Sequence, residues 1–567
     1  MENENKATKH WVITIGAFVI ALAFRLIRLG VLTLTNQEAQ YALQALAVAR
    51  GEQTVFSGYH TYVGLTGLPF YLFSESNFMA RFWPAFVGAL IVFIPPMFSN
   101  RIGKWPALFT SFVLAISPEM VGLSRIVGSP IMAFVFILLA IGFWFNRKFI
   151  PAGIFLGLGL MSGMSFWVGV LILGITLLIS KRLLGFQLTF IQEMENGLTP
   201  TMWTKFAISL TLALVVIGSG MFMAPSGLSG IFSGLFTFIN GFWQARLIPW
   251  GWALLALLVY GTGAVVFGLW GAIRGILIRN KVDAVLSLWA GIALVFIFLF
   301  SGGTTGEIVW VTFPLWILAA RVVFLAWQKP ESSKLVVVIT TVIIIVIAAF
   351  NALALRAFVA PGLSKSEQMN TLIALAASII MMIAIILLIN YGWSEDLARS
   401  SLLLGIGLVL LVSMISVSVN STGLGSIEPL ELWYPDEGVF LSEWIQVTID
   451  RVMVWNSRSI KPVDIIVSGM DSPGLRWALR SYDQVVFEPF VPLQSSPGVL
   501  ITPIGEIPEN LNSYQGQSLV WEKKVSWNEL NFKDYLAWTM TRKAHTSSQE
   551  LILWVRTDLM PGGQLID

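Results

Sequence analysis

The chain has 567 residues, 56% of them hydrophobic and only 12% charged, about half the ~25% of an ordinary soluble domain. Its 35 Lys and Arg against 32 Asp and Glu leave it nearly neutral, and the basic residues form no aromatic-interleaved patch, which argues against a nucleic-acid partner. Cysteine is absent, so disulfides, thiolate metal sites and cysteine nucleophiles are excluded.

Repeated apolar runs long enough to cross a ~30 Å hydrocarbon layer mark a polytopic membrane protein set in a lipid bilayer. They predict helices near 11–31, 79–99, 105–117, 130–146, 151–166, 167–180, 205–223, 250–270, 283–300, 308–327, 335–355, 371–392 and 400–418, 13 spans in all. No small-residue cleavage site follows the first, so it reads as a retained span and not a signal peptide. With the N-terminus inside, fifteen loop Lys and Arg, among them Arg101, Lys104, Arg147, Lys148, Lys329 and Arg399, are cytoplasmic. Six lie outside: Arg50, Arg81, Arg125, Arg246, Arg356 and Lys365. This follows the positive-inside rule and puts the C-terminal tail outside a plasma membrane. Arg25 and Arg28 read as interfacial anchors, and Arg321 as a cap on the cytoplasmic end of its span.

Three sizeable outer loops are expected, at 34–78, 224–249 and 356–370. The first carries Ala39, Ala42, Leu43, Leu46 and Ala47 at helical spacing, with Asn36 as N-cap of a surface helix over 36–50.

Charge then splits the chain. Residues 1–426 carry 24 basic and 14 acidic residues, residues 427–567 carry 11 and 18. Two domains are expected, a membrane domain over 1–426 and an extracytoplasmic α/β domain over 427–567. The second has an amphipathic helix near 438–455, a strand at 463–468, a helix from Leu475 to Tyr482, and strands at 484–490, 498–502, 517–527 and 551–557.

One set of motifs is more specific. Gln37-Glu38-Ala39-Gln40-Tyr41-Ala42 follows the first span, then come Pro69-Phe70-Tyr71-Leu72 and Arg81-Phe82-Trp83-Pro84-Ala85-Phe86-Val87-Gly88. Ile116-Ser117-Pro118 and Ser124-Arg125-Ile126-Val127-Gly128-Ser129-Pro130 complete it. Over residues 1–146 this resembles the N-terminal half of the GT-C fold glycosyltransferases, the group that contains protein O-mannosyltransferases and lipid A aminoarabinose transferases. More loosely, Ser472-Pro473-Gly474-Leu475-Arg476-Trp477-Ala478-Leu479-Arg480-Ser481-Tyr482 is similar to flippase-associated GT-C-like proteins of archaea and green non-sulfur bacteria.

The resemblance implies a mainly α, GT-C-like bundle that handles a polyprenyl-phosphate-linked sugar at the outer membrane face, with envelope-glycosylation proteins as partners. It allows a divalent cation and requires no cofactor. Glycosyl transfer from a phosphate carrier needs a carboxylate to deprotonate or orient the acceptor and positive charge for the departing phosphate. The family's first acidic position falls on Gln37, with Glu38 beside it, and its second falls on Ser129; both aspartates are missing. Only Asp283 and Asp396 occur before residue 427, both at cytoplasmic ends. Any surviving catalysis therefore falls to Glu38 or Glu119.

Each candidate has a plainer reading. Glu38 also suits a solvated first-turn carboxylate facing the helix dipole, and Glu119 an interfacial charge. Arg81 and Arg125 offer a fork for a carrier phosphate or snorkel at helix ends. Tyr41 and His60 are substrate-facing candidates, His60 also an ordinary loop histidine. Three functions stay open: a glycosyltransferase using substitute acids, a non-catalytic relative that binds or helps flip lipid-linked saccharide, and a secondary transporter. Against the last, charges at mid-span are nearly absent and no half-to-half repeat is visible.

Overall fold

The structure is a computed structural model that describes residues 2–52, 54, 56–183, 199–230, 232–246, 248–327, 334–360, 362–424, 430–433, 438–456, 463–491, 495–507 and 511–560. The expected boundary after residue 426, and Lys329 of the basic set, lie outside these. Helices dominate. The first part holds α1 (Glu2–Leu26), α2 (Asn36–Ala49), α3 (His60–Phe73), α4 (Asn77–Met97), α5 (Lys104–Ile116), α6 (Pro118–Ser124), α7 (Ile131–Phe145), α8 (Phe149–Leu160) and α9 (Met164–Leu183). Then follow α10 (Pro200–Gly218), α11 (Ser233–Asn240), α12 (Trp250–Tyr260), α13 (Thr262–Leu277), α14 (Lys281–Leu299), α15 (Val309–Trp327), α16 (Lys334–Val359), α17 (Lys365–Gly392) and α18 (Glu395–Ser421).

Among the described residues eight helices are long and apolar enough to cross a membrane, or up to ten if each of two bent pairs is one span. The bent pairs are α5 with α6, at 53°, and α12 with α13, at 90°. Three shorter apolar helices lie at His10–Leu26, Ile131–Phe145 and Phe149–Leu160. The chain is a multi-pass membrane protein. Where 13 spans were expected, eight to ten candidates are found among the described residues, and the expected span at 250–270 is broken by the 90° bend between α12 and α13; α16, α17 and α18 leave apolar side chains such as Leu335, Ile373, Ile380 and Val412 exposed, as a lipid-facing surface requires.

The 53° bend has a local cause. Pro118 has no N–H to give to the Leu114 carbonyl, so the helix cannot continue unbroken. Arg25 takes over that carbonyl with Nη2 at 3.2 Å and the Ala115 carbonyl with Nη1 at 2.9 Å, and its Nε donates to Ser124 Oγ at 3.1 Å. Arg25 is therefore fully buried and not the interfacial anchor its position suggests. Arg28 remains at the surface, with Nη1 on the Leu424 carbonyl at 2.9 Å. Arg321 does more than cap a span: it pairs with buried Asp283 of α14 and donates to the Ile102 carbonyl.

The segment between α1 and α4 holds two helices where one was expected. α2 begins on Thr35, whose Oγ1 accepts from the Glu38 N–H while Glu38 returns a bond to the Thr35 N–H. This capping box takes the N-cap from Asn36. The Asn36 side chain accepts instead from the Gly474 N–H at 3.0 Å.

The C-terminal part is a six-stranded sheet of order β1-β5-β6-β4-β2-β3. Its strands are β1 (Val439–Phe440), β2 (Ile465–Ser468), β3 (Val485–Glu488), β4 (Val499–Pro503), β5 (Tyr514–Val525) and β6 (Thr546–Arg556). β2 lies parallel to β3 and β4, and the rest pair antiparallel. Helices α19 (Ser442–Asn456), α20 (Pro473–Ala478) and α21 (Phe532–Thr541) complete it. α20 is shorter than the expected 475–482, starting where Ser472 caps Pro473 at the first helical position.

This sheet region docks on the segment after α1. Thr33 Oγ1 donates to the Phe440 carbonyl at 2.5 Å, Trp477 Nε1 donates to Asn77 Oδ1 at 2.8 Å, and the Trp477 ring lies 5.8 Å from that of Phe70. The likeness in 472–482 thus marks the helix that sits against α2 and α4.

Candidate functional site

Of the residues singled out in the sequence, Glu38, Tyr41, Arg81, Arg125 and Ser129 gather where α2, the 122–130 corner, the turn before α15 and the start of the sheet region meet. Glu38 is completely buried, not a solvated first-turn charge. Its Oε1 accepts from Arg81 Nε at 2.9 Å and the Val127 N–H at 3.0 Å. Its Oε2 accepts from Arg81 Nη2 at 2.6 Å and the Thr35 N–H at 3.1 Å. Arg81, also buried, further donates Nη1 to the Leu32 carbonyl at 2.6 Å and Nη2 to the Thr33 carbonyl at 2.8 Å. The pair is bidentate and fully hydrogen-bonded, the condition under which a buried ion pair holds. It ties the α1–α2 connection, α4 and the 125–128 turn into one unit.

Arg125 acts on the end of α1. Its Nη1 donates to the carbonyls of Phe24, Arg25 and Ile27 at 2.9–3.1 Å, and Nη2 to that of Arg28 at 3.2 Å. Phe24 and Arg25 are in the last turn of α1, where a helix leaves its carbonyls unsatisfied, and Ile27 and Arg28 lie in the turn that follows. Ser129 donates Oγ to the Leu123 carbonyl at 2.7 Å. Gln37 is exposed.

Tyr41 and Tyr59 pack ring to ring at 4.7 Å. Gly128 permits this: its φ is +79°, and a Cβ there would sit 2.7 Å from the Tyr41 ring. His60 lies apart from this gathering. It is buried edge-on against Phe56 at 5.2 Å, and burial pushes its pKa down to about 4, so it is neutral at pH 7.

Glu119 faces inward. Its Oε1 accepts from Trp316 Nε1 at 2.8 Å, and its Oε2 has no hydrogen-bond partner among the described residues. Trp316 also lines an apolar cavity of about 610 Å³ between α5, α13, α15 and α18, together with Trp105, Phe109, Phe267 and Met414. One indole therefore separates a membrane-embedded carboxylate from an apolar chamber. Ser117 and Thr312 hydroxyls are likewise buried without a partner among the described residues.

Two further carboxylates were not singled out in the sequence. Glu307, in the turn before α15, accepts from Ser165 Oγ at 2.9 Å and leaves Oε1 unpartnered. Glu431, past the last span, accepts from Tyr260 Oη and from Arg542 Nη1, both on Oε2. Its Oε1 is unpartnered among the described residues. Burial raises its pKa against the lowering pull of Arg542 and the Tyr260 hydroxyl. Thr305 Oγ1 bonds the Leu432 carbonyl at 2.9 Å, so the two glutamates lie on adjoining turns. An acid set between Leu430 and Leu432-Trp433 just after the last span is the signal for it in the sequence.

Arg81, Arg125 and Glu431 line one small cavity, of about 40 Å³, with Thr33, Thr35 and Trp433. It lies between the connection after α1 and the Arg125 corner. Among the described residues no group of three or more His, Asp or Glu could hold a metal ion.

Solved structures share this architecture from end to end. ArnT from Cupriavidus metallidurans bound to undecaprenyl phosphate aligns over 97% of this chain and 99% of that chain, at 14% identity and a TM-score of 0.54. The apo state of the same protein gives 98%, 99%, 16% and 0.51. The chain has the GT-C fold. The archaeal oligosaccharyltransferase AglB from Archaeoglobus fulgidus, in complex with an inhibitory peptide and a dolichol-phosphate, aligns over 88% of this chain and 70% of that chain, at 13% identity and a TM-score of 0.46. No protein-family model and no curated protein matches the sequence. The GT-C likeness first read from residues 1–146 therefore extends over the whole bundle and into the sheet region, at an identity that speaks for fold and not for chemistry.

Proposed function

We propose that this chain binds a polyprenyl-phosphate-linked saccharide at the sheet-bearing end of the bundle, on the outer face of a plasma membrane, and does not transfer the sugar by a two-aspartate mechanism. The observation that carries this reading is the Glu38–Arg81 pair. The acid beside Gln37 has four hydrogen bonds and no free acceptor position for a reacting hydroxyl, and a neutral Gln37 cannot take a proton at pH 7. The ArnT structure with undecaprenyl phosphate, matched along its full length, supports a polyprenyl phosphate as ligand. The apolar cavity walled by Trp316 suits the prenyl chain. Assistance to a partner glycosylation enzyme, or to flipping, follows from binding without turnover.

The test is reconstituted protein with undecaprenyl phosphate and its glucosyl or mannosyl derivatives. Both lipid classes are expected to raise the unfolding temperature with no sugar released or transferred; absence of any shift overturns the reading. One observation favours transfer instead: Glu119, Glu307 and Glu431 each keep a carboxylate oxygen without a partner among the described residues. Under that alternative, turnover occurs and disappears in Glu119→Gln or Glu307→Gln.

A further inference from the structure

The 40 Å³ cavity between Arg81, Arg125 and the start of the sheet region is lined by residues with buried polar groups that have no partner among the described residues. Glu431 is 4% exposed with Oε1 unpartnered, Trp433 is 8% exposed with Nε1 unpartnered, and Ser421 is 4% exposed with its hydroxyl unpartnered, all among the described residues. All three residues line the cavity. Buried polar atoms left open cost about 1–3 kcal/mol each, so several in one cavity call for a ligand or ordered water.

The surroundings keep these groups where they are. Trp433 stacks on Tyr260 at 3.9 Å, and its indole edge fits against Gly122, where a Cβ would lie 2.8 Å from Nε1. The Leu432 N–H donates to Tyr260 Oη at 3.1 Å, and Trp538 Nε1 donates to the Leu430 carbonyl at 2.8 Å. Residues 430–433 are thus clamped from both sides. Glu431 Oε2 is bonded to Tyr260 and Arg542, which leaves Oε1 as the open position.

The donor and acceptor pattern selects the ligand class. A carboxylate oxygen repels a phosphate, while an indole N–H and two nearby guanidinium groups oppose a metal cation. A hydroxyl suits both sides, since it donates to Glu431 Oε1 and accepts from Trp433 Nε1. The volume holds about three waters at ~10–15 Å³ each, hence the hydroxyl-bearing edge of a sugar and not a whole ring. We propose that Glu431 and Trp433 form a hydroxyl-recognition subsite through which the segment after the last span reads the saccharide of a lipid-linked sugar. This deepens the proposed function and rests on it. It also assigns the sheet-bearing region a place at the site, because Glu431 is held by Arg542 at the end of α21.

The experiment uses the full chain in nanodiscs, with undecaprenyl phosphate, glucosyl-phosphoundecaprenol and mannosyl-phosphoundecaprenol as probes. Wild type is expected to bind at least one glycosylated lipid about tenfold more tightly than bare undecaprenyl phosphate, the size of one hydrogen bond to a charged group. Glu431→Gln and Trp433→Phe are expected to bring that ratio close to one while leaving the affinity for undecaprenyl phosphate unchanged. Tyr260→Phe, which removes the hydroxyl bonded to Glu431 Oε2 and to the Leu432 N–H but keeps the ring stacked on Trp433 and leaves Oε1 untouched, is expected to keep the ratio. A wild-type ratio of one with both sugars, a ratio unaltered in Glu431→Gln, or equal loss in Tyr260→Phe overturns the subsite; the first two leave only water in the cavity. Wild type that binds none of the three lipids overturns the proposed function itself.

Discussion

Glu38 and Glu431 are buried carboxylates at the same end of the bundle, and Arg81, the partner of one, lines the cavity that the other lines. Glu38 accepts four hydrogen bonds, two on each oxygen, and is matched by one guanidinium in bidentate geometry. Glu431 has its bonds on one oxygen and leaves the other open. The difference is between an acid whose acceptor positions the fold fills and one that keeps an open position, and motif position alone does not reveal it. The acid nearest the expected catalytic position is consumed by the fold, whereas an acid far down the chain retains an acceptor.

Breaking the saturated side has the largest expected effect. Glu38→Gln leaves Arg81 uncompensated and is expected to lower stability by about 3–5 kcal/mol, read from denaturant unfolding in detergent. Adding Arg81→Gln should recover part of that loss. Recovery that fails, or a single variant as stable as wild type, removes the structural role assigned to the pair. Arg25→Met abandons the Leu114 and Ala115 carbonyls at the α5–α6 bend and is expected to cost about 2–4 kcal/mol, one unsatisfied group adding ~1–3.

The open side should respond more weakly in stability. Glu431→Gln keeps the shape and loses charge-assisted bonds to Tyr260 and Arg542, an expected loss of about 1–2 kcal/mol. Because burial raises the Glu431 pKa, its folded form binds more protons than the unfolded one. Its contribution is therefore present at low pH and is lost as pH rises above the ordinary value of 4.5. The stability gap between wild type and Glu431→Gln should shift in that direction, and a pH-independent gap contradicts the assignment.

The smallest effect at neutral pH is expected at His60, where the ring is largely uncharged in both states. Its pKa is lowered from 6.5 to about 4, so the unfolded chain binds the extra proton first. Stability should fall as pH drops from about 6.5 toward 4, and His60→Phe should flatten that part of the profile. An unchanged profile in the variant places the titration elsewhere.

Legibility in the sequence followed the range of the interaction. The spans were readable because each is an apolar run of its own, and β2 to β6 because each is a short apolar or alternating segment bounded by turn residues. The Thr35–Glu38 capping box was present in the sequence as Thr-x-x-Glu, yet Asn36 at the next position made an equally good cap on propensity. α3 was missed because Pro69 lies inside it, a residue that propensity treats as a breaker. The carbonyl bonds of Arg25 and Arg125 were not legible for another reason: the carbonyls they meet become available only when α5 stops before Pro118 and α1 stops beside the 125 corner.

By itself the sequence determined a membrane bundle with a small sheet region, since hydropathy and periodicity are local properties, and the motifs of residues 1–146 added a resemblance to GT-C proteins with neutral residues at Gln37 and Ser129. Only the tertiary structure decided what each charge does. Glu38 meets Arg81 across 43 residues and Tyr260 meets Glu431 across 171, and a buried charge takes its role from the partners that folding brings to it.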